Sequence, residues 1–152
     1  MIHRRCAGFT VVELLIVVAV IAIILGIVLP NYSNIHQDGL QNQVENELET
    51  LKVAVLSYWR HNGTTFPPNI TSALTTASPV VITQITTDPW KTDVASNTYG
   101  YATGSDAAFG DYFVIYSKGP KGDTSPQWDS DNKKVVYTGT GKVVSNAPVE
   151  QQ

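Results

Sequence analysis

The chain has 152 residues and a formal charge of −3, and its hydrophobic residues, 43% of the total, are heavily concentrated in the first thirty positions. An acidic balance, which loss of Arg4 and Arg5 with a cleaved leader would take to −5, argues against nucleic acid or anionic lipid as the main partner of the polar remainder. The single cysteine, Cys6, precedes the apolar run, so the rest of the chain has no thiol for a disulfide or a cysteine metal site.

Residues 1–8, MIHRRCAG, are short, basic at His3, Arg4 and Arg5, and end in glycine. The run Gly8–Pro30 that follows carries one charge, Glu13. From Phe9 to Leu29 it holds 21 residues, about 31 Å of α-helix, which matches a hydrocarbon core of roughly 30 Å. Basic residues ahead of the run, with no acidic one, keep the extreme N-terminus cytoplasmic and translocate the C-terminal region. A secretory signal peptide has the same order of parts. This run, however, is longer than a usual apolar region, contains Glu13, and leads into Pro30-Asn31-Tyr32 without a small-residue cleavage site. A lipoprotein signal needs its cysteine after the run. A plain signal anchor fits but leaves Glu13 unexplained, because an ionised carboxylate at bilayer depth is costly.

The stretch Gly8-Phe9-Thr10-x-x-Glu13-Leu14-Leu15 ahead of an apolar helix resembles the N-terminus of class III signal-peptide substrates, the type IV pilins and the pseudopilins of type II secretion. The resemblance implies a prepilin peptidase that cuts between Gly8 and Phe9 and methylates the new amino terminus of Phe9. It divides the chain into a leader (1–8), a transmembrane and assembly helix (9–30), its amphipathic continuation (31–62) and a globular region (63–152). The new amine on Phe9 and the carboxylate of Glu13 are four residues apart on one helix face. Their attraction offsets the burial of Glu13. If the amine belongs to a neighbouring subunit, as the resemblance implies, the pair sets axial register in a homopolymer; the bland alternatives are a snorkelling or protonated Glu13. Pro30 cannot donate to Gly26 and its ring crowds that carbonyl, so the helix loosens between them. By resemblance this is the family's flexible point, and otherwise a helix exit at the membrane surface.

Leu40, Val44, Leu48, Leu51, Val55 and Tyr58 recur at steps of three and four, an amphipathic helix that ends at Asn62-Gly63 before Pro67 and Pro68. A core-facing continuation of the membrane helix explains the stripe more simply than a coiled coil. Between Gly63 and Asp93 the pattern predicts a helical turn or two over Thr71–Thr76 and an extended segment over Val80–Ile85. Asp88-Pro89 is a turn initiator and Trp90 an apolar anchor. Strands are predicted over Asp111–Ser117, Lys134–Thr138 and Lys142–Ser145, with Thr138-Gly139-Thr140-Gly141 as a hairpin turn between the last two and a further strand over Tyr99–Ala102. The tail from Asn146 offers only Val149 for packing and is expected to fray. The fold class is α+β and pilin-like: a long N-terminal hydrophobic helix packed on a small C-terminal antiparallel sheet. Tyr58 to Pro67 (YWRHNGTTFP), and Asp88-Pro89-Trp90 with Tyr99-Gly100-Tyr101, resemble segments of the major, G-type pseudopilin.

No catalytic constellation is visible in the sequence, and no enzyme activity is expected: His36 and His61 are 25 residues apart, and phosphate loops, Cys/His metal pairs and a nucleophile elbow are missing. Asp123, Asp129 and Asp131, with Asn132, are candidate oxygen ligands for calcium in a glycine-containing loop. By resemblance, G-type pseudopilins bind calcium after the strand that here is Tyr112–Ser117, but Lys121 replaces a usual acidic ligand, and a solvated acidic turn is the other reading. The chain is expected to be the major pseudopilin of a type II secretion system, inserted once in the inner membrane with a periplasmic domain. Its expected partners are further copies of itself, prepilin peptidase, the inner-membrane assembly platform, minor pseudopilins or pilins, and membrane lipid before assembly. A type IV pilin of a surface filament is the runner-up, and a monomeric membrane-anchored binding module the alternative from another class.

Overall fold

A computed structural model describes residues 9–84, 86–91 and 98–152, with the side chains of residues 30, 31, 33 and 34 outside the description. The leader 1–8, with Gly8 and the basic cluster, lies outside the described residues. The chain divides into two compact units, Met1–Gly39 and Leu40–Gln152. Helix α1 (Val11–His61) contributes to both.

In the first unit α1 is rich in Val and Ile, residues that favour strands in a half-buried setting. A span in lipid must satisfy every backbone group internally, and an uninterrupted apolar run does this as a helix. Val11–Leu29 is long and apolar enough to cross a membrane, and none of it is buried.

In the second unit α1 presents Val44, Leu48, Leu51 and Val55, each 3% exposed or less, along with Ala54. This is the stripe the sequence predicts. The helix stops where predicted: the Asn62 amide and its Nδ2 both donate to the Tyr58 carbonyl (2.9 and 3.0 Å), and Gly63 takes a left-handed φ of 64°. A short helix α2 (Ser72–Thr76) follows, with Leu74 in the core. Asn69 Oδ1 accepts from the Ala73 amide at 3.1 Å and caps it. Val80–Gln84 is not a strand, contrary to expectation: Val81 and Ile82 both turn their amides to the Leu74 carbonyl. Ile85, the end of that predicted segment, lies outside the described residues.

Six strands complete the unit: β1 (Gly100–Asp106), β2 (Gly110–Tyr116), β3 (Ser125–Asp129), β4 (Lys134–Thr138), β5 (Val143–Ser145) and β6 (Val149–Gln151). They form two sheets, β1-β2-β5 and β3-β4-β6. The first sheet is antiparallel throughout, whereas β6 runs parallel to β4. Cross-strand register assigns the faces of the first sheet. Tyr101, Phe113 and Ile115 join the core of the α1 stripe, while Tyr112, Val114 and Tyr116 pack with Trp128 and Val135 of the second sheet. Gly100 and Gly104 leave room for the rings of their register partners Tyr116 and Tyr112. Trp128 stacks on Tyr112 at 4.0 Å. Tyr99, 3% exposed, donates its hydroxyl to Glu47 Oε2 at 2.6 Å and ties the sheet to α1. Burial pushes its phenol well above the ordinary tyrosine range.

Two expectations are corrected here. Thr138–Gly141 is not a hairpin turn, because β4 and β5 belong to different sheets. The segment crosses between the sheets against loop 117–124, and a Cβ on Gly141 would collide with the Ser117 carbonyl and one on Gly119 with the Gly141 backbone. Close backbone approach, not turn geometry, demands these glycines. The tail from 146 is not frayed either: it forms β6, held by Val135 N to Pro148 O (2.8 Å), Gln152 N to Tyr137 O (2.9 Å) and the Lys134–Glu150 ion pair. Backbone pairing holds it where side-chain packing was sought.

Candidate functional site

The N-terminal site is built on the first turn of α1. Phe9 and Thr10 precede the helix and are non-helical. Phe9 is 82% exposed. Thr10 occupies the N-cap position and Glu13 the third helical position. The Glu13 amide donates to Thr10 Oγ1 (3.2 Å), while Glu13 Oε2 accepts from the Thr10 amide (3.0 Å) and hydroxyl (2.9 Å). This reciprocal arrangement is a capping box, which satisfies orphan donors at a helix start. Both bonds to the carboxylate fall on Oε2. Oε1 makes no hydrogen bond among the described residues and is left to accept from another donor.

Residues 3–29 match the family model of the prokaryotic N-terminal methylation motif. The chain carries this methylation motif. It is typical of type IV pilins and pseudopilins, and the α+β arrangement behind the apolar helix is a pilin-like one. No curated protein and no solved structure matches the chain.

The motif gives the geometry its chemical meaning. A cut between Gly8 and Phe9 would free an amine one residue before the N-cap. Thr10 would keep its amide, so the capping box survives processing. Sequence reasoning weighed Glu13 as a charge and overlooked Thr10, although Thr10-Val11-Val12-Glu13 has the Thr-x-x-Glu spacing that signals a capping box. Gly26 and Pro30 both fall inside the bounds of α1. A Cβ on Gly26 would meet nothing within 4 Å, and the Pro30 side chain lies outside the description.

The aspartates of the candidate calcium loop bond within the fold. Asp123 Oδ1 accepts from the Thr140 amide and hydroxyl, both at 2.8 Å; these bonds hold its carboxyl below the usual carboxylate value. Asp129 accepts from Asn132 Nδ2 (2.8 Å) and from the Asn132 and Asp131 amides (3.1 and 3.0 Å), and is likewise held low, first by the Asn132 side chain. Asp131 lends the cluster its amide, and its exposed carboxylate makes no hydrogen bond or ion pair among the described residues. Among the described residues no three His, Cys, Asp or Glu converge as a metal group. Asp123 Oδ1 and both carboxylate oxygens of Asp129 accept hydrogen bonds within the fold, whereas Asp123 Oδ2 and the Asp131 carboxylate accept none among the described residues.

The predicted Asp-Pro turn and Trp90 anchor are in place. Asp88, 2% exposed, accepts from Ser117 Oγ (2.9 Å), the Lys118 amide (3.0 Å) and the Trp90 amide (3.1 Å). Trp90 packs on the helix core. Of the two helical histidines, His61 Nδ1 pairs with the Ser57 carbonyl at 2.8 Å, and His36 belongs to the other unit.

Proposed function

We propose that the chain is a filament-forming structural subunit, cut after Gly8, N-methylated at Phe9 and polymerised from the inner membrane through its apolar helix. One observation carries this reading: a methylation motif runs directly into a capped helix whose large apolar side chains are all exposed from Val11 to Leu29. A surface so apolar needs lipid or other copies of the same helix to cover it. Lipid covers it before assembly and neighbouring helices cover it in a filament.

Within this reading the subunit is the major pseudopilin of a type II secretion system, with its domain in the periplasm. The absence of cysteine from the chain after Gly8 favours it over a surface pilin, and the Asp88-Pro89-Trp90 turn, with Asp88 buried and Trp90 packed against the core, supports the same choice. Glu13 pairs through Oε1 with the methylated amine during assembly, and Gly26 and Pro30 give the helix room to stretch as copies pack.

Mass spectrometry of the protein purified from its host tests the processing: the expected mass lacks residues 1–8 and carries one added methyl group. An intact N-terminus overturns the assembly reading in favour of a membrane-anchored module. Immunogold microscopy of the cell surface separates the two filament types, a surface fibre meaning a pilin.

A further inference from the structure

A cleft of about 400 Å³ opens beside the C-terminal end of α1. Its walls include Leu56, Trp59, Phe66 and Phe109, with Asp111 and Asn146 among its polar groups. The aromatic walls are held from behind. Phe66 stacks with Trp59 at 6.3 Å and meets the fully buried Phe113 edge-on at 5.0 Å, and Phe109 leans on Trp128 at 5.3 Å. Asn146 is consumed internally, accepting from the Phe113 amide (3.0 Å) and donating to the Asp111 carbonyl (3.1 Å). The Asp111 carboxylate is exposed and makes no hydrogen bond or ion pair among the described residues.

Three aromatic faces, one unpaired carboxylate and no cation in the lining define a receptor for positive charge. An anion would be repelled. A neutral apolar group would strip water from Asp111 without replacing it.

The same unit carries a matching cation. Lys52, Lys133, Lys134 and Lys142 are in ion pairs, and Lys91 and Lys118 donate to carbonyls. Lys121 is exposed, and its Nζ forms no hydrogen bond or ion pair among the described residues. It stands at the tip of a turn fixed by Gly122 N to Gly119 O (3.0 Å) and by Asp123 and Thr124 against Thr140 and Gly141. A rigid presenting loop lowers the ordering cost of a contact. Arg60, which also forms no ion pair among the described residues, is next to Trp59 on α1.

Strand β2 (Gly110–Tyr116) carries Asp111 near its start, beside the cleft, and ends at Tyr116, where the loop to Lys121 starts. At about 3.3 Å per residue Asp111 and Tyr116 are roughly 17 Å apart. The Lys121 amide donates to Thr140 Oγ1 (3.4 Å), just before β5, whose Val143 pairs with Tyr116, so Lys121 belongs to the end of β2 opposite Asp111. A donor patch and an acceptor patch at opposite ends of one element are the makings of a head-to-tail contact, which propagates openly when its rotation does not close a ring.

We propose that the cleft receives Lys121 of a second copy of this chain, its aliphatic stem against Trp59 and Phe66 and its ammonium on Asp111. The contact rests on the filament reading above and adds a specific link between globular domains. Lys121, unfavourable for calcium, is here the residue that joins one copy to the next.

The test uses full-length chain in its native host, on a Cys6→Ser background. Asp111→Lys and Lys121→Asp are each expected to lower filament yield by about tenfold or more, and the double swap to restore it. Asp111→Cys with Lys121→Cys, treated with a bis-maleimide whose span of about 10 Å replaces the reach of the lysine stem that a disulfide lacks, is expected to give a cross-linked ladder in filaments. Normal filaments from both single variants, with no ladder, overturn the contact and leave the filament standing. Loss with Asp111 variants but not with Lys121→Asp overturns the second copy as occupant and points to another chain's basic group. Absence of filaments from the parent chain overturns the filament reading, and the contact with it.

Discussion

Under the proposed function Glu13 has two separable jobs, and three substitutions distinguish them. As a helix cap its carboxylate needs only an acceptor oxygen for the Thr10 amide and hydroxyl, now at 3.0 and 2.9 Å. Gln at the same position serves a capping box as well. As the partner of a methylated amine it must be charged. Glu13→Gln therefore keeps the cap and removes the charge, while Thr10→Ala keeps the charge and removes the cap's hydroxyl. Loss of an N-cap Thr costs about 1 kcal/mol, roughly a factor of five in how often the first turn frays. Thr10→Ala is expected to insert, be processed and assemble with normal subunit spacing, at modestly lower yield. Glu13→Gln and Glu13→Val are expected to insert normally and fail together in assembly. The assay is membrane fractionation for insertion and electron microscopy of sheared filaments for yield and repeat. Wild-type filaments from Glu13→Gln would refute charge pairing and leave the capping box as the residue's whole role.

Asp88→Ala strands the buried Ser117 hydroxyl and the Lys118 amide, at about 1 to 3 kcal/mol each. A fall in Tm of about 10 °C or more is expected on thermal unfolding of the solubilised chain, with Asp88→Asn, which keeps one acceptor oxygen, in between. Asp106 is hydrogen-bonded by the Phe109 and Ala108 amides, Trp128 Nε1 and Lys133, and its carboxyl is held well below the usual range, first by the Phe109 amide. A carboxyl depressed in the folded state stabilises above its unfolded value of about 3.9 and loses that contribution as pH falls below it. Melting temperature should drop on acidification below about pH 4, and less steeply in Asp106→Asn; equal slopes would show that Asp106 is not involved. Calcium at millimolar concentration should leave the melting temperature of the chain unchanged, and a clear rise would mean that Asp123, Asp129 and Asp131 rearrange into a cage.

What could be read from the sequence was local. The stripe Val44, Leu48, Leu51 and Val55 and the stop at Asn62-Gly63 follow from helix periodicity and capping, which neighbours in the chain decide. β2 and β4 are dense in aromatic and β-branched residues, so composition alone marks them. β3, Ser125 to Asp129, contains Pro126 and one large apolar residue, Trp128, and β6 is Val-Glu-Gln; their order comes from pairing with β4. The glycines at 139 and 141 carry the signature of a hairpin, yet their cause is the loop pressed against them, a neighbour some twenty residues away that no local window contains. At the N-terminus the opposite happened: Thr10 and Glu13 show their relation at a spacing of three, and the prominence of the charge hid it.

The aspartates connect these observations. The unit Leu40–Gln152 contains no cysteine and so has no disulfide to fix its long connections. Here Asp88, Asp106, Asp123 and Asp129 each accept from at least one backbone amide in a turn or crossing loop. Charge-assisted bonds to amides are about twice as strong as neutral ones, and each of these holds a turn or a crossing loop. Of the three candidate cation ligands, Asp123 and Asp129 accept from backbone amides and Asp131 lends its amide to Asp129. Asp123 ties the loop to Thr140, and Lys121 at the exposed tip adds a positive charge which, in the proposed contact, another copy binds.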